Sequence, residues 1–232
     1  MAEKIIDVAG FNRVVINHVM EAEIIQSEQY RVTIAGSDNL LTSIDVAVQG
    51  DRLVAGYKFN FLNWLSAPFL PGLITIHMPE IKGLKLTGAG RASLKGFRSE
   101  EEFELGVTGA AGIEFSEFTA GGLRWDLTGA SRIKGQISLK QDFNLRVTGS
   151  SQIDLKGEGR DMVVEVDGAS RIDLADFPVR HSRVHLSGAS HFILNGNGRL
   201  DADLNGASTL EYKGTVTLGD IRLKGISKLK QV

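Results

Sequence analysis

A short phrase recurs along the chain: LKLTGAG at 84, LGVTGAA at 105, WDLTGAS at 125, LRVTGSS at 145, VEVDGAS at 164, VHLSGAS at 184, ADLNGAS at 202 and IRLKGIS at 221. Its central glycines are Gly88, Gly109, Gly129, Gly149, Gly168, Gly188, Gly206 and Gly225, separated by 21, 20, 20, 19, 20, 18 and 19 residues. A unit this short cannot enclose a core by itself. It buries its apolar face only by stacking on the next unit, so a constant period of this length predicts a solenoid.

Alignment on the glycine shows what each unit contains. Apolar residues stand four and two positions before it, as in Leu105/Val107, Trp125/Leu127, Leu145/Val147 and Val184/Leu186, alternating with polar ones. Ile113, Ile133, Ile153, Ile172, Phe192, Leu210 and Leu229 follow four positions after it. Period-two alternation marks strands with one buried face. Each unit therefore holds at least two strands bent at a Gly-Ala-Ser corner, where glycine supplies a backbone angle that a β-carbon would penalise. The predicted fold is all-β: a right-handed parallel β-helix of about eight coils, each about 20 residues long.

The column three residues before the glycine offers an internal check. From Asp126 it reads Asp126, Arg146, Glu165, His185, Asp203, Arg222, an alternation of sign interrupted at the histidine. Opposite charges on facing positions of neighbouring strands are mildly favourable and like charges are not. Alternation at this period makes sense only for spatial neighbours. The serines two positions past the glycine, Ser131, Ser151, Ser170, Ser190, Ser208 and Ser227, form another column. No histidine accompanies them at a repeating offset, so they read as a hydroxyl ladder satisfying backbone groups, not as nucleophiles.

Residues 81–232 thus form the repeat domain. Residues 1–80 lack the corner but still read as β, with strands around Phe11–Ile16, Ala22–Gln26, Tyr30–Ile34 and Ile44–Val48 and a helical turn opening at Ser37 or Asp38. They are expected to be irregular first coils or a cap continuous with the solenoid, covering strand edges that would otherwise invite aggregation. The stretch 59–72 is aromatic and proline-punctuated. Phe59, Phe61, Trp64 and Phe69 make it either a loop folded over the open end or an exposed partner-binding loop.

Composition narrows function by exclusion. A net charge of −2 offers no basic excess for nucleic acid. The absence of cysteine removes disulfides and thiolate metal sites, and no apolar run reaches the ~20 residues that cross a bilayer. Met1-Ala2-Glu3-Lys4-Ile5-Ile6-Asp7 has no export signal. The protein is expected at the periplasm or cell surface if such a segment was removed, and in the cytoplasm otherwise.

Candidate ligand chemistry lies on one stripe. Arg132, Arg171 and His191 share the column three residues past the glycine, beside a column holding Lys134, Asp154 and Asp173. The cations suit acidic sugars or surface polymers. Asp154 and Asp173 occupy equivalent places in consecutive coils, but two carboxylates are too few for a calcium site. No cofactor and no metal is expected.

The TGAS/DGAS corner resembles that of a bacterial family, the putative auto-transporter adhesin, head GIN domain. So do Phe11-Asn12-Arg13-Val14-Val15, Tyr30-Arg31-Val32-Thr33-Ile34-Ala35-Gly36, Asp38-Asn39-Leu40-Leu41, and Ile74-Thr75-Ile76-His77-Met78-Pro79 leading into Leu84. The resemblance spans almost the whole chain. It implies a β-helix-like exported protein and brings no catalytic residues with it. The expected function is a non-catalytic envelope or surface module for adhesion or polymer binding. Its partners would be a polysaccharide or another surface protein, with a homo-oligomer a further option. The rivals are a carbohydrate-active β-helix enzyme (a polysaccharide lyase or hydrolase) and an intracellular scaffold. Short uniform coils leave little material for the cleft such an enzyme needs.

Overall fold

The computed structural model describes residues 2–58 and 72–232. The aromatic positions Phe59, Phe61, Trp64 and Phe69 lie outside the described residues. The first part of the chain supplies β1 (Ala2–Ile6), β2 (Arg13–Asn17), β3 (Met20–Gln26), β4 (Arg31–Gly36), helix α1 (Asp38–Ser43), β5 (Ile44–Gln49), β6 (Arg52–Tyr57) and β7 (Gly72–Met78). The repeats then supply strand pairs, one pair per coil. They are β8 (Gly83–Gly88) and β9 (Arg91–Lys95), β10 (Glu102–Gly109) and β11 (Gly112–Ala120), β12 (Gly122–Gly129) and β13 (Arg132–Leu139), and β14 (Phe143–Gly149) and β15 (Gln152–Glu158). After them come β16 (Asp161–Gly168) and β17 (Arg171–Val179), β18 (His181–Gly188) and β19 (His191–Gly196), β20 (Arg199–Leu204) and β21 (Thr209–Lys213), and β22 (Thr217–Leu223) and β23 (Lys228–Gln231).

Even-numbered strands from β8 onward stack into one parallel sheet and odd-numbered ones from β9 into a second. The result is an all-β solenoid of about 7 turns with coils about 20 residues apart. Register follows the glycine alignment: Gly109 pairs with Gly129, Gly149 with Gly168, and Ile153 with Ile172. The alternating charges meet as expected. Asp126 faces Arg146 in register, Arg146 reaches Glu165 at 2.6 Å, and His185 Nδ1 lies 3.9 Å from Asp203.

The inward columns of the two sheets form one continuous core, with Leu127, Ile133, Val164, Leu174, Leu186 and Leu194 fully buried. Aromatic side chains thicken it in the middle coils. The Trp125 ring stacks on Phe115 at 5.4 Å, and Phe143 packs edge-on against both Trp125 (5.1 Å) and Phe177 (6.1 Å).

The N-terminal segment is threaded in an order that its sequence does not announce. β2 pairs in parallel with β8, and β3 with β9, so residues 13–26 are a true coil lying directly on the first repeat. The chain then leaves to build the outer edge. β7 adds to β3 and β6 to β2, both in parallel, and the antiparallel strands lie outside them: β4 on β7 and β1 on β4 in one sheet, β5 on β6 in the other. Ser37 caps α1, its hydroxyl accepting the Leu40 amide at 3.4 Å. Since Asn17 is in register with Thr87, His18 stands where every repeat has its corner glycine, and it adopts the same left-handed region at φ 70°.

Candidate functional site

The corner itself is the most regular polar feature of the molecule. Three of the buried serine hydroxyls, those of Ser170, Ser190 and Ser208, each close two bonds to the coil before, and Ser151 Oγ accepts the Ser131 amide at 3.2 Å. Ser170 Oγ accepts the Ser151 amide at 3.0 Å and donates to the Gly149 carbonyl at 3.2 Å. Ser190 does the same with the Ser170 amide (3.1 Å) and the Gly168 carbonyl (3.1 Å), and Ser208 with the Ser190 amide and the Gly188 carbonyl. The chain must turn there, so these amides and carbonyls leave the sheet ladders. Without the hydroxyls the serine amides would be buried unpaired, whereas each glycine carbonyl keeps the alanine amide of the next coil. Ser170→Ala is therefore expected to cost about 1–3 kcal/mol, since it strands a buried amide. Ser227→Ala, in the outermost coil where water can substitute, should cost less than about 0.5 kcal/mol. Urea melts of the two variants check this contrast.

Outside the corner lies a groove of about 1180 Å³ that runs along the solenoid from the coil of Ala22 to that of Arg171. Its floor is made of the small corner residues, among them Ala110, Ala130, Ser150 and Ala169. One wall carries Arg91, Arg132 and Arg171 on alternate coils, with Gly112 and Gln152 between them in register. Arg91 is 3.9 Å from Glu21. Arg132 donates from Nε to Gln152 Oε1 at 3.2 Å, and an Arg171 nitrogen lies 3.4 Å from His191 Nδ1. Among the described residues, neither Arg132 nor Arg171 has a carboxylate within 4 Å, whereas Arg13, Arg124, Arg146, Arg160, Arg180 and Arg199 all do. The opposite corner of the coils shows the contrast. Arg160 binds Asp142 at 2.9 Å, Arg180 lies 3.4 Å from Asp161, and Lys140 pairs with Glu100.

The residues expected from sequence separate into two groups. Arg132, Lys134 and Arg171 line the groove, with Lys134 held 3.1 Å from Glu114. Asp154, Asp173 and His191 stand on the same outward face, but not in the groove's lining. Asp154 and Asp173 are in register on adjacent strands, and Asp173 Oδ1 accepts the Ala175 amide at 3.1 Å. His191 Nε2 points toward Glu211 at 3.6 Å. No cluster of three or more His, Asp or Glu suited to a metal occurs among the described residues.

Sequence reasoning missed the acidic mouth of the groove, Glu21 and Glu23. They join it because β3 lies beside β9. The available signal was the turn Asn17-His18, which aligns with Thr87-Gly88 once histidine is accepted at a left-handed position. Sequence placed Ser131 in the hydroxyl ladder, but its buried Oγ lines the groove without a hydrogen-bond partner.

Solved structures share the architecture over the whole length. A putative adhesin from Parabacteroides distasonis superposes with a TM-score of 0.86 at 16% identity, covering 100% of this chain and 96% of the other. A putative adhesin from Parabacteroides merdae gives 0.82 at 16%, covering 100% and 95%. A putative lipid binding protein from Parabacteroides distasonis gives 0.83 at 17%, covering 100% and 96%. At these identities the likeness is one of fold. A comparison with curated proteins finds no match. No helix of the described residues is long and apolar enough to cross a membrane. Residues 10–215 match a family, and on that match the chain belongs to the putative auto-transporter adhesin, head GIN domain family.

Proposed function

We propose that this protein is a non-catalytic adhesive module of the bacterial surface that holds an acidic polymer along its corner groove. The observation that carries this reading is the pair Arg132 and Arg171. These two guanidiniums sit in a groove parallel to the solenoid axis and lack the carboxylate partners that most other arginines have. An arginine fork without an internal acid is free to meet a carboxylate or similar anion. A groove that crosses several coils presents the same chemistry repeatedly, which suits a long ligand and gives avidity from weak single contacts.

Adhesion and degradation make different demands. A lyase or hydrolase needs an acid and base set against a scissile bond in a walled cleft. In this groove Glu114 is engaged by Lys134, and the floor is bare alanine, glycine and serine. Incubation with a panel of acidic polysaccharides, followed by sizing of the polymer, tests the reading. Retention of the protein on the polymer with unchanged chain length is expected. Release of unsaturated or shortened oligosaccharides would establish an enzyme instead.

A further inference from the structure

We propose that the groove selects a linear anionic glycan whose carboxylate recurs on every second sugar, with Arg132 and Arg171 each meeting one carboxylate. This inference rests on the polymer-binding reading above and adds a spacing to it.

The spacing comes from the coil repeat. Arg132 and Arg171 share a column with Gln152 between them, so the two guanidiniums are two strand steps apart, about 9.6 Å for strands ~4.8 Å apart. In an extended glycan, one ring and its bridging oxygen advance the chain by close to one strand step. Carboxylates on alternate sugars then keep pace with arginines on alternate coils, and the uncharged sugar between them falls opposite the Gln152 amide. A glycan charged on every sugar would place an anion there with no cation to meet it.

The floor suits the same ligand. Ala130, Ser150 and Ala169 make it shallow and free of bulky side chains, so sugar rings can lie along it. Beneath them Ser131 Oγ is buried and unpaired, an independent sign that the floor still has a hydrogen bond to make. Toward the N-terminal end, Glu114 and Glu21 offset Lys134 and Arg91, and Glu23 adds a further negative charge, so among the described residues the cations of the groove without a carboxylate partner are Arg132 and Arg171.

Other polymers fit less well. An extended peptide rises ~3.4 Å per residue, so side chains on one face recur every ~6.8 Å and fall out of step with the arginines. Peptides commonly bind by adding a strand to a free sheet edge, yet the strands beside this groove are paired on both sides. Nucleic acid carries phosphates far more densely and meets a protein of net charge −2.

Isothermal titration of the whole chain tests the proposal with four probes: a hyaluronan oligosaccharide (one carboxylate per two sugars), an oligogalacturonate of equal length (one per sugar), a neutral β-glucan and an oligoglutamate. Hyaluronan should bind best. Arg132→Gln and Arg171→Gln should each weaken it about tenfold, the loss of one charge-assisted fork, while Arg222→Gln on the other sheet leaves it unchanged. Gln152→Arg should raise affinity for oligogalacturonate without raising that for hyaluronan. Equal affinity for the two anionic glycans would overturn the spacing while leaving an acidic-polymer module in place. Absence of binding to either would remove both readings. Tighter binding of oligoglutamate would make the occupant a peptide, and indifference to the two arginine substitutions would displace the site.

Discussion

Replacing Gly149 by alanine is expected to lower folding stability by about 3 kcal/mol or more, whereas Gly106→Ala should change it by less than about 0.5 kcal/mol. The two positions differ in geometry, not in chemistry. Gly149 holds φ +123°, a region that side-chain-bearing residues rarely enter, and a methyl group there would collide with the carbonyl oxygen of Gly129 in the coil beneath. That obstacle is backbone, so no rotamer change relieves it. The nearest atom to a Cβ on Gly106 is the flexible Lys85 Cγ at 3.8 Å, an ordinary contact. Because each coil contacts only its neighbours, the damage at Gly149 should open the solenoid locally as well as lower the urea midpoint. A Gly149→Ala protein with a wild-type midpoint would mean that the corner does not bring successive coils this close.

The second large effect lies in the core. Phe143 is fully buried between Trp125 and Phe177, with ring centroids 5.1 and 6.1 Å away. Phe143→Ala should cost about 3–5 kcal/mol, from lost transfer energy plus a cavity that two strands locked in register cannot collapse to fill. Phe143→Leu keeps most of the volume and should cost about 1.5 kcal/mol or less. The near-ultraviolet circular dichroism of Trp125 should change in the alanine variant even where it stays folded. A loss under about 1 kcal/mol would place Phe143 outside the core.

The contrast between these positions shows which parts of the fold are legible in sequence. The corner glycines announce themselves because the period is nearly constant and the backbone demand is the same in every coil. The serine ladder and the Asp126–Arg146–Glu165 column follow from that period alone, since a fixed repeat converts sequence distance into adjacency. Phe143 and Phe177 sit outside the aligned phrase. They lie near the opposite turn, where strand lengths vary and register shifts occur between Asp154 and Lys156 and between Leu174 and Pro178. The first coil was hidden for another reason. Its corner residue is His18, and the strands that follow β3 in sequence are not those that follow it in space. Local pattern gives Val14 and Ile16 their buried faces, but only long-range pairing reveals that they rest on Leu84 and Leu86.

The site was partly readable for the same reasons. The stripe holding Arg132, Lys134 and Arg171 follows from the column count. Which of its charges are already satisfied does not, because that depends on whether a side chain one coil away reaches. Lys134 finds Glu114, while Arg132 finds only the Gln152 amide. The groove likewise needs the small corner side chains to be seen as a floor, which a one-dimensional reading treats only as turn residues.

The stacked register underlies every part of this account, and the lack of cysteine in the chain makes it directly testable. Cysteines placed by Asp126→Cys and Arg146→Cys occupy facing positions on adjacent parallel strands, and so lie within the range that a disulfide or a short bifunctional reagent can bridge. Cysteines placed by Asp126→Cys and Lys134→Cys are much closer in sequence but belong to the two different sheets, on opposite outer faces. The account predicts rapid intramolecular linkage of the first pair and none of the second. Linkage of the second pair without the first would contradict the stacked coils and, with them, the groove.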